Sequence, residues 1–280
     1  MNMFSYTNAI ILGVISIIFI LVYYQTVRTT TEDLALNTQC KESVKLNALT
    51  RYDEISADTS IKCPTIYKKV KATNQDAVFE VSARSLADTW NEFHEGRVQV
   101  FDTKKENFCV VRRVLEFSEQ EQYKGFLDYL LQHNPPQIQK SYFSYLTNIE
   151  VEQGKRAFKD NTALYNSDTI DTKYPYAAIF TMSKATNIGK VSGAGIGAIV
   201  GVIAAGTITY FSAGTLSWTS IGIINMATVA GSTVSGFMLG NEYAADWNAG
   251  MLFIPYTNES LKSLNCTILP VAITQNLAQQ

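Results

Sequence analysis

The sequence predicts an α+β domain with an N-terminal transmembrane helix and a C-terminal glycine-rich helical hairpin, on three observations. Residues 9–24 read AIILGVISIIFILVYY, and no charge occurs before Arg28. Residues 191–241 hold no charged residue, a length sufficient for two spans of about 20 residues each. Between these stretches, residues 28–187 carry the mixture of charge, aromatic residues and apolar periodicity of a globular protein.

Composition agrees. Charged residues make up 17% of the chain, below the usual quarter, and the deficit lies in the two apolar stretches. The net charge of −2 exerts no strong pull on nucleic acid or anionic lipid. With 15 tyrosines and 14 phenylalanines, an ordered core is expected rather than disorder.

Taken in order, residues 1–27 read as an uncleaved signal-anchor. No Lys or Arg precedes the apolar run and no small-x-small site follows it, which disfavours a cleaved signal peptide. Tyr6, Tyr23 and Tyr24 stand where an interfacial aromatic belt belongs. Residues 28–75 are polar, with helix-compatible patches such as 42–49. Phe79, Ala83, Leu86, Trp90 and Phe93 then recur at helical spacing, and Gly96 sits where a left-handed cap ends the helix. The pattern next turns extended. Residues 97–101 (RVQVF) and 108–117 (FCVVRRVLEF) predict a hairpin with its loop at 102–107. In the second strand Cys109, Val111, Leu115 and Phe117 share one face, with Arg112 and Glu116 on the other.

Ser118 and Glu121 have capping-box spacing, which predicts a helix with Tyr123, Phe126, Leu127, Leu130 and Leu131 buried and Pro135–Pro136 as its stop. Residues 141–146 (SYFSYL) read as a short helix, 150–173 as loop, and 174–182 (YPYAAIFTM) as a buried strand. Residues 251–256 and 267–271 predict short strands by which 242–280 returns to the domain, ahead of a disordered tail at 275–280.

The span 188–241 carries small residues at every fourth position. Gly189, Gly193, Gly197, Gly201 and Ala205 form one ridge; Thr228, Ser232, Gly236 and Gly240 form another. Such ridges let helices approach closely in lipid. Packing within one hairpin is the plainest reading. Others are oligomerisation around a pore lined by hydroxyls such as Thr207 and Thr219, a membrane-inserting hairpin, and burial inside the fold.

Four cysteines, Cys40, Cys63, Cys109 and Cys266, include no Cys-x-x-Cys pair. With only two histidines a zinc site is not expected. Three disulfide pairings are open. One of them, Cys40–Cys63 with Cys109–Cys266, would combine a local bridge with a long-range one, each contributing about 3 kcal/mol in an oxidising compartment. Free buried thiols in a cytosolic domain are the rival reading. Asn258-Glu-Ser and Asn265-Cys-Thr are glycosylation sequons, which matter only in a secretory lumen.

Chemistry-bearing motifs are sparse. Gly193-Ala-Gly-Ile-Gly-Ala198 resembles a dinucleotide loop, but no acidic residue follows until Glu242 to hold a ribose. No Gly-Lys-Ser/Thr phosphate loop occurs. Cys109 with His94 reads better as a core strand residue and a surface residue than as nucleophile and base. His133 suits a helix C-terminus. No catalytic, cofactor-binding or metal-ligating set is expected. The positive-inside rule is silent, because every Lys and Arg lies outside the short loops. An external domain is expected from the cysteines and the signal-anchor pattern.

Several segments together resemble an uncharacterised family of membrane-anchored proteins from small-genome archaea and candidate-phylum bacteria. They are Leu86-Ala-Asp88, Trp90-Asn-Glu-Phe93-His-Glu-Gly96, Phe108-Cys109-Val110, Ser141 to Leu146, the glycine-rich stretch, Phe253-Ile-Pro-Tyr256 and Leu264-Asn-Cys266. The family pattern has Gly at the position of His94 and a second cysteine where Val111 and Arg112 stand here, so no metal or paired-thiol role carries over. The resemblance implies an architecture and no activity. The expectation is a non-enzymatic, membrane-anchored structural or assembly component of a cell-envelope complex. Its partners would be the lipid bilayer and either further copies or other envelope proteins. The alternative is a pore built from oligomerised glycine-zipper hairpins.

Overall fold

The structure is a computed structural model describing residues 3–52, 61–98, 100, 107–152, 154–155, 169–184, 198–204, 207–212, 221–225, 236–244, 247–264 and 266–268. In chain order the helices are α1 (Met3–Tyr52), α2 (Gln75–Glu92), α3 (Phe126–Gln132), α4 (Tyr142–Thr147) and α5 (Asn258–Ser263). The first strands are β1 (Ile66–Val70), β2 (Asn107–Phe117), β3 (Gln122–Lys124), β4 (Thr169–Asp171) and β5 (Tyr176–Lys184). There follow β6 (Ala198–Ala204), β7 (Thr207–Ser212), β8 (Ile221–Asn225), β9 (Gly236–Ala244), β10 (Trp247–Pro255) and β11 (Thr267–Ile268).

Among the described residues the result is a mixed α/β fold on a nine-stranded sheet ordered β1-β2-β5-β10-β9-β6-β7-β8, with β11 also on β2. β3 and β4 form a separate pair. β1 runs parallel to residues 113–117 of β2, and β11 runs parallel to residues 108–109. Both therefore occupy one edge of β2, while β5 pairs antiparallel along the other. β10 lies antiparallel between β5 and β9.

Two cores follow from the two sheet faces. The larger gathers Phe79, Leu86, Trp90 and Phe93 from the α2 region, Phe126 and Leu130 from α3, Phe143 from α4, and Phe180 and Phe253 from the sheet. The Phe93 ring stacks on Phe180 with centroids 4.1 Å apart. The smaller core lies on the opposite face and holds Val111, Val114, Ile179, Leu252, Ile254 and Leu264. α2 buries the periodic stripe its sequence predicts, and Asn74 caps it by accepting from the Ala77 N–H at 2.9 Å. Ser141 caps α4 in the same way, accepting from the Ser144 N–H.

The predicted fold class is corrected in two places. The expected helical hairpin at 188–241 is not formed: residues 198–204, 207–212, 221–225 and 236–244 are strands of the main sheet. A charge-free run rich in Ile, Val and Thr reads equally well as strands buried on both faces, and β-branched content favours that reading. Gly201, Gly236 and Gly240 thus lie on β6 and β9 instead of along a helix ridge, and Gly240 is paired with Gly250 of β10. Gly189, Gly193, Gly197, Ala205, Thr228 and Ser232 lie outside the described residues. Second, the N-terminal transmembrane helix is not supported. Among the described residues no helix is long and apolar enough to cross a membrane.

Local expectations change as well. The 97–101 strand is absent among its described residues, and β2 pairs instead with β1, which the sequence reading missed. Ser118 starts no helix. Its N–H donates to the Val70 carbonyl, residues 122–124 form β3, and α3 begins after Gly125 at φ +99°. The left-handed turn expected at Gly96 begins earlier, with His94, Glu95 and Gly96 at φ 51°, 58° and 72°. A Cβ on Gly96 would lie 2.5 Å from the Ala249 Cβ and 2.9 Å from the Trp90 ring. Gly96→Ala should therefore cost about 2–4 kcal/mol, combining left-handed strain with overpacking, as read from the urea midpoint at unchanged m-value.

Candidate functional site

Among the described residues the most concentrated polar chemistry is where α1 meets the domain. β2 reads as a core strand except for Arg112-Arg113 at its centre. Strict alternation would send the two side chains to opposite faces. A bulge intervenes: Val111 pairs with Ile179 and Arg113 with Ala178, leaving Arg112 as the extra residue. Both guanidinium groups then reach α2. The same bulge reverses the predicted face of the strand beyond it. Leu115 and Phe117 join the larger core with Phe108 and Val110, while Cys109, Val111 and Val114 face the smaller one.

On α2 the receiving group is Glu92. Arg112 Nε donates to its Oε2 at 2.6 Å, and Arg113 Nη2 to its Oε1 at 2.5 Å. Arg113 Nη1 also donates to Oε2 at 3.2 Å and to the Thr89 hydroxyl at 2.6 Å. All three charged residues are buried, at 0%, 6% and 4% exposure for Arg112, Arg113 and Glu92. Two cations therefore share one carboxylate, and the remaining donors need neutral acceptors. α1 and the segment before β1 supply them. Arg112 donates to the Pro64 carbonyl, to the Leu36 carbonyl at 3.2 Å and to Asn37 Oδ1 at 3.2 Å; Arg113 reaches the same Oδ1 at 3.1 Å. Burial pushes the Arg112 guanidinium below its ordinary pKa, and the Glu92 carboxylate opposes that shift.

A disulfide joins the same two pieces. Cys40 on α1 is bonded to Cys63, with Cα atoms 4.4 Å apart. Cys109 is bonded to Cys266, so of the three pairings open to the sequence the structure holds the local bridge with the long-range one. Smaller contacts surround the clamp. Lys41 Nζ donates to Asn91 Oδ1 at 2.9 Å, the Lys62 N–H donates to the Ser43 hydroxyl at 3.1 Å, and His94 Nε2 lies 3.3 Å from the Lys41 carbonyl. On α1 the buried residues Cys40, Val44 and Asn47, with half-buried Asn37, recur at spacings of three and four, one narrow stripe.

The other end of α1 is its opposite in character. Every residue from 11 to 22 is exposed, including Ile11, Leu12, Ile15, Ile18, Phe19 and Leu21 at 44–71%. These positions surround the helix on all sides.

No protein-family model, curated protein or solved structure matches this chain. The residues behind the family resemblance have packing roles here: Leu86, Trp90, Phe93, Phe143 and Phe253 fill the larger core, and Cys109 with Cys266 forms the long bridge.

Because Cys109 is disulfide-bonded, it offers no nucleophile to His94, which instead abuts α1. His133 stacks on Tyr129 at 3.9 Å just past α3. Among the described residues no group of His, Cys, Asp and Glu is placed to hold a metal. The Gly193–Gly197 loop lies outside the described residues. Asn258 is exposed at the start of α5, whereas its sequon partner Ser260 is buried and bonded to the Thr257 hydroxyl. Sequence reasoning missed Glu92, Arg113 and Asn37. The available signal was Arg-Arg inside an otherwise apolar strand, a pattern that demands a buried counter-charge.

Proposed function

We propose that the protein is a non-enzymatic, membrane-anchored structural or assembly component of a cell envelope, attached to lipid by the apolar end of α1. The carrying observation is that residues 11–22 are exposed and apolar around the whole helix. A protein groove covers one face of a helix; acyl chains cover all of them. Transferring ten such side chains out of water favours attachment by on the order of 10 kcal/mol. The contact invoked is insertion of an apolar stretch, without a span. Two disulfides support an oxidising, extracytoplasmic setting for the domain. The clamp supports a mechanical role, since its charged groups are spent on one another and on holding α1. A pore of helical hairpins would need helices where β6 to β9 lie, and it is not carried forward.

Flotation of the full-length chain with phosphatidylcholine vesicles tests the reading. Wild type should float, and Ile15→Lys/Ile18→Lys should lose about ten-thousandfold in partition, at roughly 2.5–3 kcal/mol per inserted lysine. Equal flotation of both proteins, or none of the wild type, would sink it.

A further inference from the structure

We infer that Cys40–Cys63 is a one-way latch: the arginine pair receives α1, the disulfide then closes, and only the closed bond fixes α1 to the domain. The inference is independent of what the far end of α1 binds.

α1 brings little apolar area to its own docking. Cys40 and Val44 are its fully buried apolar residues among those described, where α2 buries Val78, Phe79, Ala83, Leu86 and Trp90. Much of the rest is polar: Asn47 is buried, and hydrogen bonds form at Leu36, Asn37, Lys41 and Ser43. Such bonds replace bonds to water and leave only a small net gain. The covalent link therefore decides whether α1 stays.

The receiving half stands without α1. Arg112 and Arg113 each hold a Glu92 oxygen, Arg112 also holds the Pro64 carbonyl, and the Thr65 hydroxyl donates to the Val111 carbonyl at 2.7 Å. Cys63 is thereby fixed against β2, and Cys40 is the half that arrives. Closure needs a disulfide oxidant, for which oxidised glutathione is the probe. One thiolate displaces glutathione to give a mixed disulfide, and the second displaces the other glutathione. The two cysteines lose two electrons and two protons, and two glutathione thiols are released. Once closed, Cys40 and Cys63 are 0% and 5% exposed, so a reductant reaches the bond only after α1 lifts. Cys266 of the other bridge is only half-buried.

Hydrogen exchange on full-length Cys40→Ser/Cys63→Ser, beside wild type, reads the latch. Amides of residues 33–49 should exchange about 100-fold faster and fall well below those of α2 and β5, which open only with the whole domain. Unchanged protection at 33–49 overturns the inference. Two further measurements keep it testable should that variant fold poorly. Asn37→Ala, with all cysteines present, should close more slowly in oxidised glutathione yet protect 33–49 fully once closed; closure at the wild-type rate overturns the receiving step. In wild type under dithiothreitol, alkylation mapping should find Cys109–Cys266 open before Cys40–Cys63, and the reverse order overturns one-way closure.

Discussion

Glu92→Gln is expected to destabilise the domain by about 3–5 kcal/mol, among the largest effects of any single substitution in this chain. The change is nearly isosteric, so the loss reports charge instead of a cavity. It removes the one carboxylate that both the Arg112 and Arg113 guanidinium groups bond, and it turns one acceptor oxygen into a donor that faces them. The neighbouring acceptors Asn37, Thr89 and Pro64 cannot supply the missing charge. Urea unfolding followed by circular dichroism measures the effect. Replacing all three residues together by apolar ones should cost far less, because a wholly uncharged cluster pays no desolvation. If Glu92→Gln alone proves neutral, the cluster is not the dry ion group described above.

The second large effect concerns the long bridge. Removing Cys109–Cys266 by Cys109→Ser/Cys266→Ser should cost about 5 kcal/mol, because the bond spans 157 residues and loop entropy grows with length. The Cys40–Cys63 loop spans 23 residues and should cost about 3 kcal/mol by the same reasoning. A domain of this size has about 5–15 kcal/mol in total, so the longer bridge holds a third or more of it. Comparing the urea midpoints of the two double variants decides the matter; a larger loss from the shorter loop would refute the entropic account.

Much of the helical core was legible because periodicity and packing agree there. Phe79, Leu86, Trp90 and Phe93 announce α2, and the same residues meet Phe180 and Phe253 inside. The first half of β5, residues 176–180 (YAAIF), is apolar throughout because the strand lies mid-sheet, between β2 and β10. The failures have physical causes too. A charge-free run carries no period to tell buried strand from membrane helix, so the strands β6 to β9 read as part of a helical hairpin at 188–241. β1 (IYKKV) hides because an edge strand with two lysines has a weak apolar signal. The clamp was illegible because a bulge is not written in alternation: one extra residue turned Arg112 inward and exchanged the faces of Leu115 and Phe117. Only half of its logic could have been inferred, from two arginines set among Val and Phe.

The single edge of β2 shared by β1 and β11 has a consequence for biosynthesis. One strand made before β2 and one made long after it must lie on the same side of it. At about 5–20 residues per second, Cys266 leaves the ribosome roughly 8–30 s after Cys109. Throughout that interval Cys40, Cys63 and Cys109 are all present and the right partner of the third is not. Prompt closure of the short loop would withdraw two of the three thiols from the wrong choice. The order in which the bonds form then protects their identity, and β11, made long after β2, completes the edge that β1 began.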